Sequence, residues 1–263
     1  MASIEPGEPH DWHSVESVDD WIAFDRLREK DRVPGLQFLA GLIPFGRDEA
    51  IRVLAIGAGY GLLSRVILEA FPGASVTCHD YSEPMFTVAR EALKGFAGRA
   101  SWVKADLLAL EWTRVLEGPF DAIVSSIAIH NVRSPERIRS IYRELFAFIK
   151  EGGCFLNMEH VGPAGNISAR FYHEARTAER QRILNELERT HQGAQEAKQE
   201  WPDRRHREAV GATSLEAHLR WLHEAGFEEV DCYWKKMGRA IIGGYRSPQT
   251  CEGLGPEEDD HAS

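Results

Sequence analysis

The chain has 263 residues, 43% of them apolar, and its 41 acidic and 31 basic side chains give a formal net charge of −10. This length suits one large α/β domain, or one domain with an inserted lid. The acidic balance argues against nucleic acid as a partner, because proteins that bind nucleic acid usually present a basic face. No apolar run approaches the ~18 residues of a membrane span, and the first residues lack a signal-peptide pattern, so no membrane association is expected.

The four cysteines form no Cys-x-x-Cys pair. A disulfide framework or a structural zinc site is therefore not predicted, and a cytoplasmic location is expected. The histidines include no His-x-His or His-Glu-x-x-His motif, so no metal site is predicted either.

Residues 1–34 are predicted to form an N-terminal helical cap. Val15, Val18 and Ile22 make an apolar stripe among charged residues, which predicts a helix over residues 14–32. A second helix is predicted over residues 35–43. Trp21 is a candidate substrate contact in this cap, and a purely structural core position is the alternative.

From residue 52 onward, predicted strands alternate with predicted helices. Ser82 and Ser134 have the sequence context of helix N-caps. Such alternation predicts a parallel sheet with helices on both faces. The predicted strands are residues 52–56, 75–79, 100–105, 120–126 and 154–158, and the intervening helices are residues 61–71, 82–96 and 135 up to a terminating Gly152-Gly153 pair.

Residues 163–210 break this alternation. They are charged and rich in helix formers, which predicts a helical lid inserted over one end of the sheet. Tyr172 and Arg205 are candidate substrate contacts there, because a basic cluster can bind a carboxylate or phosphate. A solvated helix without a role at the active site is the alternative.

Residues 211–246 are predicted to complete the core with a helix and a β-hairpin. Residues 213–216 read as a capping box with Thr213 at the N-cap, and Gly226 as the end of the helix. The two strands, residues 229–234 and 239–245, are joined by a tight turn and must be antiparallel. Residues 247–263 are rich in proline, glycine and acids, and disorder is predicted for them.

The glycine turn after the first strand carries the strongest functional signal. Gly57, Gly59 and Gly61 let the backbone bend and approach a ligand closely, and the following helix offers free N–H groups to a carboxylate. Asp80 ends the second strand, where an acid can accept ribose hydroxyl protons. Leu62 stands where a dinucleotide-binding fingerprint has its third glycine, so the spacing favours S-adenosylmethionine (SAM) over NAD.

With these motifs the chain resembles the class I SAM-dependent methyltransferases over roughly residues 35–160 and 213–245. The segments Asp80-Tyr-Ser-Glu-Pro-Met85, Lys104-Ala-Asp106-Leu107 and residues 120–130 are similar to the family's second, third and fourth motifs. The resemblance implies a Rossmann-like seven-stranded sheet, mostly parallel with an antiparallel seventh strand, whose SAM-binding core is residues 35–162.

The resemblance also implies roles for individual residues. Asp80 would bind the ribose, Asp106 the adenine amino group, and Ser125 would lie at the sulfonium end. Tyr81 and Met85 would lie beside the adenine. The full set of implied cofactor-binding residues is Gly57, Ala58, Gly59, Gly61, Asp80, Tyr81, Met85, Asp106, Leu107 and Ser125.

One position departs from the family pattern. The family usually carries Asp or Glu two residues before the first glycine, where the acid helps to hold the methionine ammonium, and this chain has Ala55. This departure leaves three alternatives open: weaker SAM binding, another residue in the role of the acid, or an unusual use of SAM.

Methyl transfer requires alignment of the acceptor and removal of its proton. His130 follows the fourth strand at the ligand-binding end, and imidazole is a side chain that can exchange a proton near neutral pH, so it is the candidate catalytic base. The alternative role for His130 is structural, with its ring hydrogen-bonded to a neighbouring loop at the end of the strand. Asn157 and Glu159 end the fifth strand at the same edge and share one face. They are candidate substrate contacts, with solvent-facing strand ends as the alternative.

The sequence therefore predicts a SAM-dependent methyltransferase for a small-molecule acceptor, through nitrogen, oxygen or sulfur, in a monomer or homodimer. One alternative is an enzyme of the same fold that uses SAM or a derivative for other chemistry. Others are an NAD-type oxidoreductase and a non-catalytic SAM-binding module.

Overall fold

A computed structural model of the protein describes residues 11–190 and 213–248. These residues form one seven-stranded sheet in the order β3-β2-β1-β4-β5-β7-β6. The strands are β1 (Arg52–Ile56), β2 (Ser75–Asp80), β3 (Ala100–Lys104), β4 (Phe120–Ser126), β5 (Ile149–His160), β6 (Glu228–Lys236) and β7 (Arg239–Tyr245). The helices are α1 (Val15–Arg26), α2 (Glu29–Gly41), α3 (Leu62–Ala70), α4 (Glu83–Ala92), α5 (Pro135–Ala147), α6 (Asn166–Thr190) and α7 (Leu215–Ala225).

The sheet confirms the predicted fold class. The strands β1 to β5 pair in parallel, and β7 pairs antiparallel with both β5 and β6. The central strands are apolar on both faces, because helices cover both sides of the sheet. Val53 and Ala55 belong to a core shared with α2, α3 and α4, whereas Leu54 and Ile56 belong to a core shared with α5 and α7.

The N-terminal helices differ from the prediction. The first helix ends at Arg26, and the second begins at Glu29 and runs through Pro34, whereas the sequence pattern placed its start after that proline. Proline normally ends a helix, but helices in proteins take most of their stability from tertiary packing. Here Leu36 and Leu39 are fully buried and anchor α2 against the sheet.

The fifth strand is also longer than predicted. It begins at Ile149, so Gly152-Gly153 lies within the strand and does not end the preceding helix. Gly152 has a φ of 78°, and a Cβ at Gly153 would lie 2.5 Å from the carbonyl oxygen of Asp121. The glycine pair therefore forms an irregularity where β5 meets β4.

At α7 the capping residue is Ser214, not Thr213. The Ser214 hydroxyl accepts the N–H of Ala217, and the helix ends at Gly226 in the left-handed conformation, as predicted. Ser82 and Ser134 are the N-caps of α4 and α5, also as predicted.

The helix α6 covers the first part of the predicted insertion. Glu179 on α6 contacts Arg28 at 3.5 Å and Arg239 at 3.4 Å, which ties this helix to α2 and β7. Residues 191–212, with Arg205, and the predicted tail from residue 249 lie outside the described residues, and the division of the chain at residues 34, 162, 210 and 246 stays a prediction. Within the described ranges, no helix is both long and apolar enough to cross a membrane.

Candidate functional site

A cavity of about 240 Å³ opens at the carboxyl ends of the central parallel strands. This is the edge where open α/β sheets bind ligands. The space is several times the ~30 Å³ share of one water molecule, so it suits an organic ligand. The lining includes Trp12, Trp21, Arg32, Ala55, Gly57, Ala58, Gly59, Tyr60, His79, Asp80, Tyr81, Met85, Asp106, Leu107, Ser126, Asn131 and Arg133.

The glycine turn between β1 and α3 forms the floor of this cavity. Gly57, Gly59 and Gly61 all have positive φ, at 60°, 53° and 90°. A Cβ at Gly57 would lie 2.2 Å from the Cβ of Ala128, so no other residue fits there without movement. At Gly59 a Cβ would meet only the Met85 sulfur at 4.0 Å, and this glycine leaves its approach open to a ligand. Gly61 is the N-cap of α3 and is not among the cavity-lining residues.

Asp80 is held in one orientation by three backbone N–H groups. Its Oδ2 accepts the N–H of Gly59 at 2.8 Å, and its Oδ1 accepts those of Tyr81 at 2.8 Å and Ser82 at 3.0 Å. The side chain is 8% exposed. Burial raises the pKa of this carboxyl although the three donors oppose the rise. Three of its roughly four acceptor positions are occupied, and the one that remains on Oδ2 can accept a hydroxyl proton from a ligand.

The residues before and within α1 cover the β2 side of the cavity. The carbonyl oxygen of Trp12 accepts the Ser82 hydroxyl at 2.6 Å, and the His13 ring packs edge-on against Tyr81 at 5.2 Å. Trp21 packs edge-on against both Trp12 and Tyr60, with ring centroids 5.4 and 6.0 Å apart. Tyr81, Met85, Asp106 and Leu107 all border the cavity, as does Trp21.

A buried polar cluster that the sequence analysis missed lies on the other side of the glycine turn. Arg32 is paired with Asp25, and Asp25 also accepts the hydroxyl of Tyr60 at 2.8 Å. The Nη2 of Arg32 donates to Ser126 at 3.2 Å. Ser126 lines the cavity, whereas the predicted Ser125 is fully buried and is not part of the lining. No sequence motif joins these residues, since they come from four separate elements.

His130 is part of a second polar cluster, built on a fully buried carboxylate. Its Nδ1 lies 2.6 Å from Oε1 of Glu159, and its backbone N–H donates to Oε2 at 3.1 Å. Glu159 also accepts the N–H of His160 at 2.7 Å and the amide of Asn157 at 3.4 Å. Asn157 and Glu159 thus share a face as predicted, but that face is buried and not in solvent.

The electrostatics favour an ionised Glu159. Burial on its own would raise the pKa of this carboxyl, but the adjacent His130 and the N–H donors lower it below its usual value. A carboxylate on Nδ1 fixes the tautomer with the proton on that nitrogen, which leaves Nε2 as the proton acceptor. The His130 side chain is 18% exposed, and the next residue, Asn131, lines the cavity.

His130, Asn157, Glu159 and Tyr172 are not among the residues that line this cavity. Tyr172 on α6 is buried, and its hydroxyl accepts a hydrogen bond from Lys235 Nζ at 2.6 Å, away from the cavity lining. Arg205 lies outside the described residues. In the part of the chain that the structure describes, no group of three or more His, Cys, Asp or Glu side chains is placed to hold a metal ion.

Comparison with known proteins points to one enzyme class. Residues 53–153 match the family model described as a methyltransferase domain. The chain is 35% identical to a malonyl-[acyl-carrier protein] O-methyltransferase of Magnetococcus marinus over 88 residues, which is 34% of this chain and 31% of that protein. The match spans less than half the length of each curated relative.

Solved structures agree on the fold. An O-methyltransferase family protein from Burkholderia thailandensis superposes with a TM-score of 0.64 at 15% identity, over 90% of this chain and 62% of that one. Human N-acetylserotonin methyltransferase in complex with SAM gives a TM-score of 0.58 at 12% identity, over 90% of this chain and 58% of that one.

Proposed function

Because residues 53–153 are a methyltransferase domain in a chain with the class I SAM-dependent methyltransferase fold, we propose that this protein transfers a methyl group from SAM to a small-molecule acceptor. The observation that carries the proposal is the Asp80 carboxylate, held by three backbone N–H groups beside an open glycine turn. That geometry leaves an acceptor position on Oδ2 for a ribose hydroxyl.

The lining of the cavity fits the rest of SAM. Asp80 would accept a ribose hydroxyl, and Asp106 the adenine amino group. Tyr81, Met85 and Leu107 supply the apolar surface for the adenine, and Gly57, Ala58 and Gly59 the close backbone approach. Gly61 would act by starting α3, and Ser126 takes the position near the reacting end that the sequence analysis gave to Ser125.

For the chemistry, we propose His130 as general base and a hydroxyl as the acceptor. SAM, when bound, supplies a methyl group activated by its sulfonium. His130 Nε2 would take the hydroxyl proton as the oxygen attacks the methyl carbon, and the bonding pair would leave with sulfur. Glu159 would stabilise the resulting imidazolium through Nδ1. The proposal is supported by the 2.6 Å contact between His130 and the buried carboxylate, because such an orienting partner is most useful where a proton must be removed.

Two measurements test this function. Calorimetry should detect micromolar or tighter binding of S-adenosylhomocysteine (SAH), and no binding of NADH. With labelled SAM, a panel of hydroxyl, amine and thiol compounds should yield transfer to at least one hydroxyl. Absence of SAH binding would overturn the proposal, and binding without transfer to any acceptor would favour a non-catalytic module.

We also propose a cellular compartment, an oligomeric state and a lid for this protein. Cys78, Cys154 and Cys232 are free thiols, which supports a reducing, cytoplasmic compartment. A monomer or homodimer is proposed, and light scattering of the full chain would decide between them. The helix α6 is proposed as the beginning of a lid, with Trp21 and Arg205 as candidate acceptor contacts.

A further inference from the structure

The position that departs from the family pattern, Ala55, lies on the wall of the cavity. It is fully buried at the end of β1, two residues before Gly57. Alanine carries no charge and cannot hold the methionine ammonium of SAM. The methionine end of the cofactor must therefore be held by a charged side chain elsewhere in the cavity.

Two arginines among the described residues line the cavity, Arg32 and Arg133, and Arg32 is the one that contacts Ser126 at the end of β4. The sheet order places β1 between β2 and β4. Asp80 ends β2 and marks the ribose side, and Ser126 ends β4 on the opposite side of the glycine turn. Arg32 lies against Ser126 at 3.2 Å and lines the cavity. A ligand whose ribose lies at Asp80 and which crosses the glycine turn therefore ends at Arg32.

The Arg32 guanidinium is fixed before any ligand arrives. Nη1 is paired with Asp25 and Nη2 donates to Ser126, whereas Nε is buried without a hydrogen-bond partner. Asp25 is 3% exposed and is itself held by the hydroxyl of Tyr60. Two helices thus deliver a buried cation to the cavity, together with the acid that holds it in position. A guanidinium matches a carboxylate in charge and in geometry.

We propose that Arg32 binds the methionine carboxylate of SAM and SAH, with Asp25 and Tyr60 as positioning residues. This inference rests on the proposed SAM-binding function. In the family pattern, an acid two residues before the first glycine holds the methionine ammonium. Ala55 cannot do so, and recognition of the amino-acid end of the cofactor therefore depends mainly on its carboxylate.

Calorimetry with three ligands separates the two charged groups. The ligands are SAH, its decarboxylated analogue 5′-deoxy-5′-(3-aminopropylthio)adenosine, and its deaminated analogue 5′-deoxy-5′-(3-carboxypropylthio)adenosine. We expect the wild type to lose roughly 10- to 100-fold in affinity without the carboxylate, and less than about 5-fold without the amine, since a hydrogen bond to a charged group has such a value.

The variant to compare is Asp25→Asn/Arg32→Gln, which removes the buried pair together and leaves no unpaired charge. It should bind SAH roughly 10- to 100-fold more weakly and should bind SAH and the decarboxylated analogue equally. Its binding of the decarboxylated analogue should match that of the wild type, which also shows that the cavity is folded. Arg65→Gln is the matched control. It breaks a partly exposed pair between α3 and Glu29 of α2, away from the cavity, and should leave all three affinities unchanged.

Two results would overturn the inference while the proposed function stands. One is wild-type binding of SAH and the decarboxylated analogue within about twofold. The other is a variant that keeps the wild-type ratio of these two affinities. If the wild type binds none of the three ligands, the proposed function itself fails.

Discussion

Asp80 is the residue on which the proposed ligand of this cavity depends most directly. Its carboxylate is shared among three backbone donors from the glycine turn and the start of α4. It therefore orients the turn, and in the proposed complex it would also orient the ribose. The same dual role makes it the most sensitive residue for binding.

We expect Asp80→Ala to weaken SAH binding by roughly 100-fold, because it removes a charge-assisted hydrogen bond to the ligand together with the acceptor that holds the glycine turn. Calorimetry measures the change. Glu83→Ala is the control, since this nearby acid is exposed and pairs with Arg90 on the protein surface. Equal affinity in Asp80→Ala and the wild type would show that the ribose binds elsewhere.

His130 is the corresponding test of chemistry. His130→Asn should lower kcat by roughly 10²- to 10⁴-fold while SAH affinity stays within a factor of about two, because a general base contributes that much and does not hold the cofactor. Glu159→Gln should lower kcat by a smaller factor, since the base itself remains and only its orientation and the stabilisation of its imidazolium are weakened.

Single-turnover transfer of labelled methyl separates the chemical step from product release. His223→Asn, at an exposed position on α7, serves as the control. A fully active His130→Asn would remove the base from the mechanism.

At the scale of elements, the turn between β1 and α3 is held in place by steric exclusion. Gly57 combines a φ of 60° with a distance of 2.2 Å between its virtual Cβ and the Cβ of Ala128. The loop after β4 therefore packs directly on the turn. This contact couples the cofactor side of the cavity to the segment that carries His130.

Gly57→Ala should lower the free energy of unfolding by about 2 kcal/mol or more, from backbone strain and overpacking together. Urea denaturation measures it. The double variant Gly57→Ala/Ala128→Gly should recover the overpacking part only. Gly41→Ala, at the end of α2 with no atom within 4 Å of the new Cβ, should be neutral or slightly stabilising. An unchanged free energy of unfolding in Gly57→Ala would contradict the close packing of Gly57 against Ala128.

The elements also show where local sequence signals prevail and where they do not. The N-caps Ser82 and Ser134 were predictable because a hydroxyl before a helix satisfies a free N–H wherever it occurs. The course of α2 through Pro34 was not, because packing of distant residues outweighs the local cost of proline. The irregular start of β5 was missed for a similar reason, since glycines that end a helix and glycines that relieve a close strand contact look alike in sequence.

Across the whole molecule, burial of histidines makes stability dependent on pH. His79 is 1% exposed, neither ring nitrogen has a hydrogen-bond partner, and burial lowers its pKa to about 4. Burial likewise lowers the pKa of His218 to about 4. In the unfolded chain the pKa is about 6.5. Between pH 4 and pH 6.5 the unfolded state therefore binds more protons than the folded state. The stability that comes from keeping these histidines neutral is fully present above pH 6.5 and is lost as the pH falls toward 4.

We expect His79→Leu to reduce the slope of unfolding free energy against pH by about one proton in this range, or ~1.4 kcal/mol per pH unit. Urea titrations without ligand at pH 4.5, 5.5 and 6.5 measure it. The matched control His223→Leu changes an exposed histidine and should keep the wild-type slope. An unchanged slope in His79→Leu would show that the folded protein does not keep the His79 imidazole in its neutral form.

The sequence by itself determined the fold class, the glycine turn, Asp80 and the antiparallel last strand. These depend on short-range chemistry, because a tight βα turn needs glycine, a strand end presents its acid, and a short link forces a hairpin. Tertiary structure alone decided that Glu159 supports His130, that Ser126 and not Ser125 borders the cavity, and that Arg32 and Asp25 stand opposite Ala55. Those contacts join residues distant in the chain, and their meaning comes from burial and the low dielectric around them, which no local pattern records.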